Sequence, residues 1–292
     1  MRSLGITEGQ VISQLDAFPR ASPYLRLKRP CTIGDGIHII SEGELAALSE
    51  LHREAAKQGR CLKFVPASGA ATRMFRLPLW FYTREPRMSR DEIARRAEAG
   101  EAKFKDLLAV IDSIDHFAFF DDLREVMANA GLDIHALVER GTSGKIFEYL
   151  LTPRGLRYAN LPKGMLKFHQ YPDASRTAFE EHLVEAAEYV RDAPGIGRLH
   201  FTVSQEHRED LEVLLQKVRS LYEGKYRVRF QVGFSVQRQS TDTIAVDLEN
   251  RPFRLADGSL HFRPAGHGAL LDNLNGLTGD IVFIKNIDNI VP

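Results

Sequence analysis

Four segments carry residue types that could handle a phosphate, a metal ion or a nucleotide. The first is Ala67-Ser68-Gly69-Ala70-Ala71-Thr72-Arg73. Small side chains let backbone N–H groups reach phosphate oxygens, and an arginine adds a fork of charged donors. The alternative is a tight strand-to-helix turn with a surface arginine. The second is Pro162-Lys163-Gly164, which holds a lysine on a constrained loop where it could meet a phosphate or simply be solvated. The third runs from Arg263 to Leu271 and contains Gly266-His267-Gly268. Glycines there would let a base or sugar pack on bare backbone, or would merely open a helix. The fourth is Lys285-Asn286-Ile287-Asp288-Asn289. Asp288 has no cationic neighbour in sequence closer than Lys285, which suits Mg²⁺, an ion content with one or two carboxylates plus phosphate and water oxygens. An Asp-Asn turn is the alternative.

Other candidates fail on spacing. Gly141-Thr142-Ser143-Gly144-Lys145 is not a Walker A loop, because Glu139 stands where its first glycine belongs and Ile146 where the Ser/Thr belongs. Gly266-x-Gly268 is followed by Leu271 rather than the last glycine of a dinucleotide fingerprint. His169, His182, His200 and His207 lack metal-ligand spacing and read as structural; His207, just past a strand, is the one to watch. Phe117, Phe119 and Phe120 read as core of a helical region.

The elements that must position these segments alternate. Ser41 with Glu44 is a capping box opening a helix with apolar positions Leu45, Ala46, Leu48, Leu51 and Ala55. Cys61 to Val65 reads as a strand running directly into the first segment. From Met88 to about Leu151 the pattern is helical and punctuated by Gly100, Gly131 and Gly141. A helix is expected from about Thr177 to Arg191, a strand at Leu199 to Val203, and a helix at Gln205 to Leu221. Tyr226 to Phe234 alternates as a strand, Ile244 to Val246 reads as a short one, and Asp280 to Lys285 reads as one buried on both faces. This rhythm predicts a three-layer α/β domain with a mainly parallel sheet. Ligands of such sheets sit at the carboxyl ends of the strands, where the unusual loops fall.

The whole composition narrows the function. With 292 residues, 43% hydrophobic and 27% charged, the chain has a sizeable core. Thirty-nine basic residues balance 39 acidic ones, so no overall field favours nucleic acid or an anionic membrane. Cys31 and Cys61 cannot make a disulfide framework, and no apolar run of about 18 residues could span a bilayer. A cytoplasmic protein is expected, with neither nucleic acid nor membrane as partner.

Taken in order, the four segments resemble those of the UDP-sugar pyrophosphorylases: a small-residue loop ending in Thr-Arg, then Pro-Lys-Gly, then a Pro-x-Gly-x-Gly-type segment, then a strand ending in Asp-Asn. The run Phe64 to Phe75 is similar, more closely, to an uncharacterised bacterial family, a domain of unknown function distantly resembling those enzymes. The resemblance implies a Rossmann-like, glycosyltransferase-A-type nucleotidyltransferase core with a mainly parallel mixed sheet, spanning 61–292. It would carry a helical insertion at about 88–151, with residues 1–60 packed on it as an N-terminal helical segment. It implies transfer of a nucleotidyl group from a nucleoside triphosphate to a sugar 1-phosphate, with nucleotide binding without turnover as the alternative. Ala67, Ser68, Gly69, Ala70, Ala71 and Thr72 would cradle the triphosphate. Arg73 and Lys163 would act on the pyrophosphate and α-phosphate, Gly266 and His267 would line the base or ribose, and Asp288 would hold Mg²⁺. Ala71 stands where the related loop has glycine. Related enzymes continue past the Asp288 element with more of the sugar site, so the resemblance implies either a C-terminally incomplete core or a minimal one that lacks half of the acceptor site.

Overall fold

The computed structural model describes residues 2–20, 26–69, 71 and 74–292. Helix α1 (Glu8–Ala17) precedes the two-residue strands β1 (Thr32–Ile33) and β2 (Gly36–Ile37) and helix α2 (Glu42–Lys57). Strand β3 (Cys61–Pro66) leads to six helices: α3 (Arg76–Arg84), α4 (Arg90–Glu98), α5 (Ala102–Asp112), α6 (Phe120–Asn129), α7 (Ile134–Glu139) and α8 (Ser143–Leu151). A hairpin, β4 (Lys167–Gln170) and β5 (Ser175–Thr177), feeds α9 (Ala178–Tyr189). Then come β6 (Ile196–Val203), α10 (Arg208–Tyr226) and β7 (Arg229–Val236). A second hairpin, β8 (Thr243–Ile244) and β9 (Phe262–Arg263), precedes α11 (Leu271–Asn275) and β10 (Ile281–Ile284).

The central sheet has the order β10-β3-β6-β7, with every pairing parallel. Counted along the chain, its strands stand fourth, first, second, third. Strand order therefore reverses between β3 and β10, the kind of place at which open parallel sheets take their ligands. The expected mixed sheet is thus wholly parallel in its four described strands.

The two faces of this sheet differ. Cys61 and Val65 share one face with Leu199, Phe201, Phe230 and the inner sides of α9 and α10, in one core with Ala55 and Ala56 of α2. Apolar spacing explains it: Phe179, Leu183, Ala186 and Ala187 line one side of α9, whose start is fixed by the Thr177/Glu180 capping box. The opposite face carries His200, Gln231, Gly233 and Ser235, and it meets the short α11 through Asn273 rather than a full helical layer. Gly233 is needed there because a Cβ would sit 2.7 Å from His200 Nδ1. The third layer expected from the sequence is therefore only a five-residue helix and its flanking segments.

The stretch 88–151 contributes no strand. Helices α3 to α8 enclose a second core, in which Phe81, Phe104, Leu107, Leu123, Met127 and Phe147 are buried. Met165 and Phe168 touch both cores. Near the N-terminus, Val11 of α1 packs with Ile6 and Ile244 in a small satellite cluster at the β8–β9 hairpin. Only the last turns of α2 reach the sheet core, whereas its apolar positions Leu45, Leu48 and Leu51 are exposed. No helix is long and apolar enough to cross a membrane among the described residues.

Candidate functional site

The carboxyl end of β3 continues into Ala67, Ser68 and Gly69, and that of β10 into Asn286, Ile287 and Asp288. Ile287 N–H donates to Pro66 O over 3.1 Å, which ties the two exits together. A third loop arrives from far along the chain. Lys163 N–H donates to Gly69 O (3.2 Å), and Ala71 N–H donates to Leu161 O (3.3 Å). These paired bonds bring Lys163 to the same place. The result is a cavity of about 340 Å³ lined by Pro66, Ser68, Gly69, Lys163, Gln237, Gly266, His267, Ile287 and Asp288, among others.

Six of the predicted residues are brought together here: Ser68, Gly69, Lys163, Gly266, His267 and Asp288. Ala67 is buried beneath them, and its N–H is spent on Thr202 O at 2.7 Å. Ala71 is buried as well, with its N–H on Leu161. Neither amide meets the cavity, so the cradle expected from 67 to 72 is reduced at both positions. Ala70, Thr72 and Arg73 lie outside the described residues.

Asp288 corrects one expectation. It is not a lone carboxylate: Lys163 Nζ lies 2.5 Å from its Oδ2, with the lysine side chain 17% and the aspartate side chain 37% exposed. The two residues are 125 positions apart, so local sequence could not reveal the pair. No group of three His, Cys, Asp or Glu side chains that could hold a metal ion occurs among the described residues. One carboxylate engaged by a lysine is too small a donor set without phosphate oxygens.

Gly266 and His267 are exposed at the mouth of the cavity. A Cβ at Gly266 or Gly268 would meet nothing within 4 Å, and neither residue has a positive φ. Packing and backbone conformation thus place no demand for glycine there. By contrast, Gly144 packs so closely that a Cβ would lie 2.0 Å from Pro86 O. That accounts for the glycine in the failed Walker-like segment, whose Lys145 pairs with Glu148.

Beneath the Asp288 loop lies a buried charge network that the sequence reading missed. Lys63, in the middle of β3, is fully buried. Its Nζ donates to Glu185 Oε2 (2.5 Å) and to the His182 carbonyl (3.3 Å), while Lys285 Nζ donates to Glu185 Oε1 (2.5 Å). Burial drags the Lys63 ammonium down to about 8. Burial would raise Glu185, but hydrogen bonds and charge from Lys285 and Lys63 outweigh it and hold the carboxyl at about 2. His182 is held at about 3 by burial and by the nearby Lys63 charge, so it is neutral. Its Nε2 lies 3.2 Å from Ile287 O; a carbonyl only accepts, so Nε2 carries the proton. His182 thus fastens the residue before Asp288, and its structural reading from the sequence fits this place.

A larger cleft of about 780 Å³ lies at the opposite, amino end of the sheet and includes Lys57, Arg191 and Arg227. Lys57 is paired with Glu54, and Arg191 donates to Tyr226 O. It contains none of the four segments singled out by their chemistry.

Fold and cavity together define a mixed α/β protein with a ligand-sized crevice at the carboxyl edge of a parallel sheet. The family model described as Domain of unknown function (DUF4301) matches residues 1–292, and the chain belongs to that family. No curated protein and no solved structure matches it.

Proposed function

We propose that this protein binds the phosphate chain of a nucleotide in the crevice between β3 and β10 and catalyses nucleotidyl transfer to a sugar 1-phosphate. One observation carries the reading. Ser68 and Gly69, Lys163, Gly266 and His267, and Asp288 come from four distant segments and line one cavity where strand order reverses. The resemblance to UDP-sugar pyrophosphorylases supports the choice of reaction, and the glycines at 266 and 268 leave room for a ring against bare backbone.

In that reaction a phosphate oxygen of the sugar 1-phosphate attacks the α-phosphorus of the triphosphate. The bond from that phosphorus to the bridging oxygen breaks, and its electron pair leaves with pyrophosphate. Nothing is oxidised or reduced. The protein's work is positioning and charge neutralisation. Lys163 is the group to offset charge on the α-phosphate, which requires it to exchange Asp288 for phosphate oxygens. Mg²⁺ would supply further neutralisation when carried in on the phosphates, with Asp288 as its one protein carboxylate.

Binding without turnover is the second reading. The Lys163–Asp288 pair and the engaged amides of Ala67 and Ala71 favour it, because they leave fewer groups for a transition state. Thermal shift with nucleotides and nucleotide sugars, with and without Mg²⁺, tests binding. A ligand at a hundred times its Kd adds about 2.7 kcal/mol of stability. Pyrophosphate release from any hit separates turnover from binding alone. No shift with any phosphorylated ligand would remove both readings.

A further inference from the structure

Single apolar side chains scattered over a surface are ordinary, but a concentration of them marks a place where something else packs. Among the described residues, eight of the nineteen exposed large hydrophobic side chains fall in one stretch of chain, from Leu27 to Leu51. They are all leucine or isoleucine, and they include Leu27 at 82% and Leu51 at 67% exposure.

Helix α2 shows how this face is built. Its inner side is marked by His52, whose Nε2 lies 2.8 Å from Tyr189 O, and by the buried Ala55 and Ala56. Leu48 and Leu51 stand four residues before His52 and Ala55, and Leu45 stands seven before His52. All three therefore lie on that same side of the helix. One apolar face thus runs the length of α2. Its last turns rest on the sheet core, while its first three turns are exposed. Ile40 and Leu45 occupy the two positions of a hydrophobic staple around the Ser41 cap, which adds Ile40 to the face. His38 Nε2, 3.3 Å from Glu44 Oε1, holds the preceding segment against the same turn. Helices in proteins draw most of their stability from packing such a face, so this one is built to be covered.

Size, symmetry and charge say by what. Eight aliphatic side chains, each about half exposed or more, present on the order of 100 Å² apiece. Together they approach the roughly 800 Å² that each partner gives to a standard stable interface. Leu45, Leu48 and Leu51 are evenly spaced, so a twofold axis at Leu48 sets Leu45 of one copy against Leu51 of the other. That arrangement runs the helices antiparallel. The acidic first turn, with Glu42 and Glu44, then lies alongside the other copy's His52 and Arg53, and the two helix dipoles oppose. An anionic bilayer fits poorly, because a helix that lies on one carries Lys and Arg on its polar face. The first three turns of α2 carry Glu42, Glu44 and Glu50 and no Lys or Arg. The chain's formal charge of +0 sets up no repulsion between copies. We infer that a second copy of this chain covers this face, making a twofold dimer in which the α2 helices pair antiparallel about Leu48.

Sedimentation velocity on the full chain, at rising protein concentration, tests this with three variants. The parent protein should pass from monomer to dimer and no further. Leu48→Glu should weaken association by at least about a hundredfold, because each dimer carries the substitution twice at its centre. Leu48→Ala should weaken it by less. Leu221→Glu, at an exposed position on α10 outside this stretch, should leave it unchanged. Leu48 is half exposed, so at concentrations where the parent is itself monomeric Leu48→Glu should melt with it. Hydrogen exchange of the parent reads the same contact without any substitution: amides of 42–52 should slow as the dimer fills. A parent that stays monomeric overturns the inference, as does a dimer that Leu48→Glu leaves intact. Exchange at 42–52 that ignores concentration also overturns it. Binding of a monomeric parent to vesicles of equimolar phosphatidylcholine and phosphatidylserine, lost in Leu48→Glu, would overturn it in favour of a bilayer.

Discussion

Among the described residues that line the cavity, Lys163 and Asp288 are the lysine and the carboxylate. With their charged atoms 2.5 Å apart, a phosphate entering the cavity would compete with Asp288 for the same ammonium group. Two opposite predictions follow. Lys163→Ala should weaken binding of inorganic triphosphate by about 1.5–3 kcal/mol, the range for hydrogen bonds to charged groups. Asp288→Asn, assayed without divalent ions, should strengthen it by about 1 kcal/mol, because a negative charge a few ångströms away is removed. Calorimetry on both variants checks the pair; weaker binding in Asp288→Asn under those conditions would show that the carboxylate is not the competitor. Gly266→Val supplies a third contrast. Its Cβ meets nothing, so the free protein should melt within a degree or two of the parent, while a ligand ring packed on that backbone should be displaced. Lys163 could be singled out from sequence because Pro162 and Gly164 constrain its loop. Its pairing with Asp288 could not, since sequence neighbourhood around Asp288 reaches Lys285 and stops.

The elements below the site are held by a network whose members are Lys63 on β3, Glu185 on α9 and Lys285 immediately after β10. Its parts pull in different directions: burial penalises Lys63, whereas pairing stabilises ionised Glu185. Removing the carboxylate leaves two ammonium groups in a poorly solvated place, so Glu185→Gln should cost about 3–5 kcal/mol at pH 7. Lys63→Met should cost far less, because Glu185 keeps Lys285 and the burial penalty disappears. The pH dependence has a definite sign. Folding lowers the Glu185 value from 4.5 to about 2, so the stabilisation is complete above about 4.5 and is lost as pH falls towards 2. Urea unfolding of parent and Glu185→Gln should therefore show a gap that closes over that window; a gap independent of pH would mean the carboxylate acts through packing. The capping box of α2 was legible because Ser41 with Glu44 is a local signal, and α9 was legible from its apolar period. The place of β10 was not. Its Ile-Val-Phe-Ile run reads as buried on both faces, yet it is an edge strand with Ile284 59% exposed, because strand order is a tertiary property.

At the scale of the molecule the site occupies the junction of two bodies. The chain leaves the sheet core through 66–69, builds the helical body, and returns through 161–166. The bonds from Lys163 N–H to Gly69 O and from Ala71 N–H to Leu161 O join the outgoing and returning segments, and Met165 and Phe168 lie against both cores. Alternation of strands and helices foretold the parallel sheet, and unbroken helical pattern foretold a body without strands at 88–151. Neither could foretell that the loop of Lys163 closes the junction, or that every described residue from 26 to 51 is exposed. Ligand phosphates held by Ser68, Gly69 and Lys163 would tie the outgoing segment to the returning one. Binding should then strengthen coupling between the bodies, beyond any local protection of the cavity. Met165→Ala supplies the contrast, since truncating this partly buried contact should cost about 1–2 kcal/mol, below the range for full core positions. In its ligand-free form, hydrogen exchange in α3 to α8 should quicken relative to the sheet, because the bodies have lost a shared contact. Saturating triphosphate should slow that exchange back towards the parent rate in both bodies together. Protection restricted to the loops at 66–69 and 161–166 would show that the ligand sits at the junction without coupling what lies on either side.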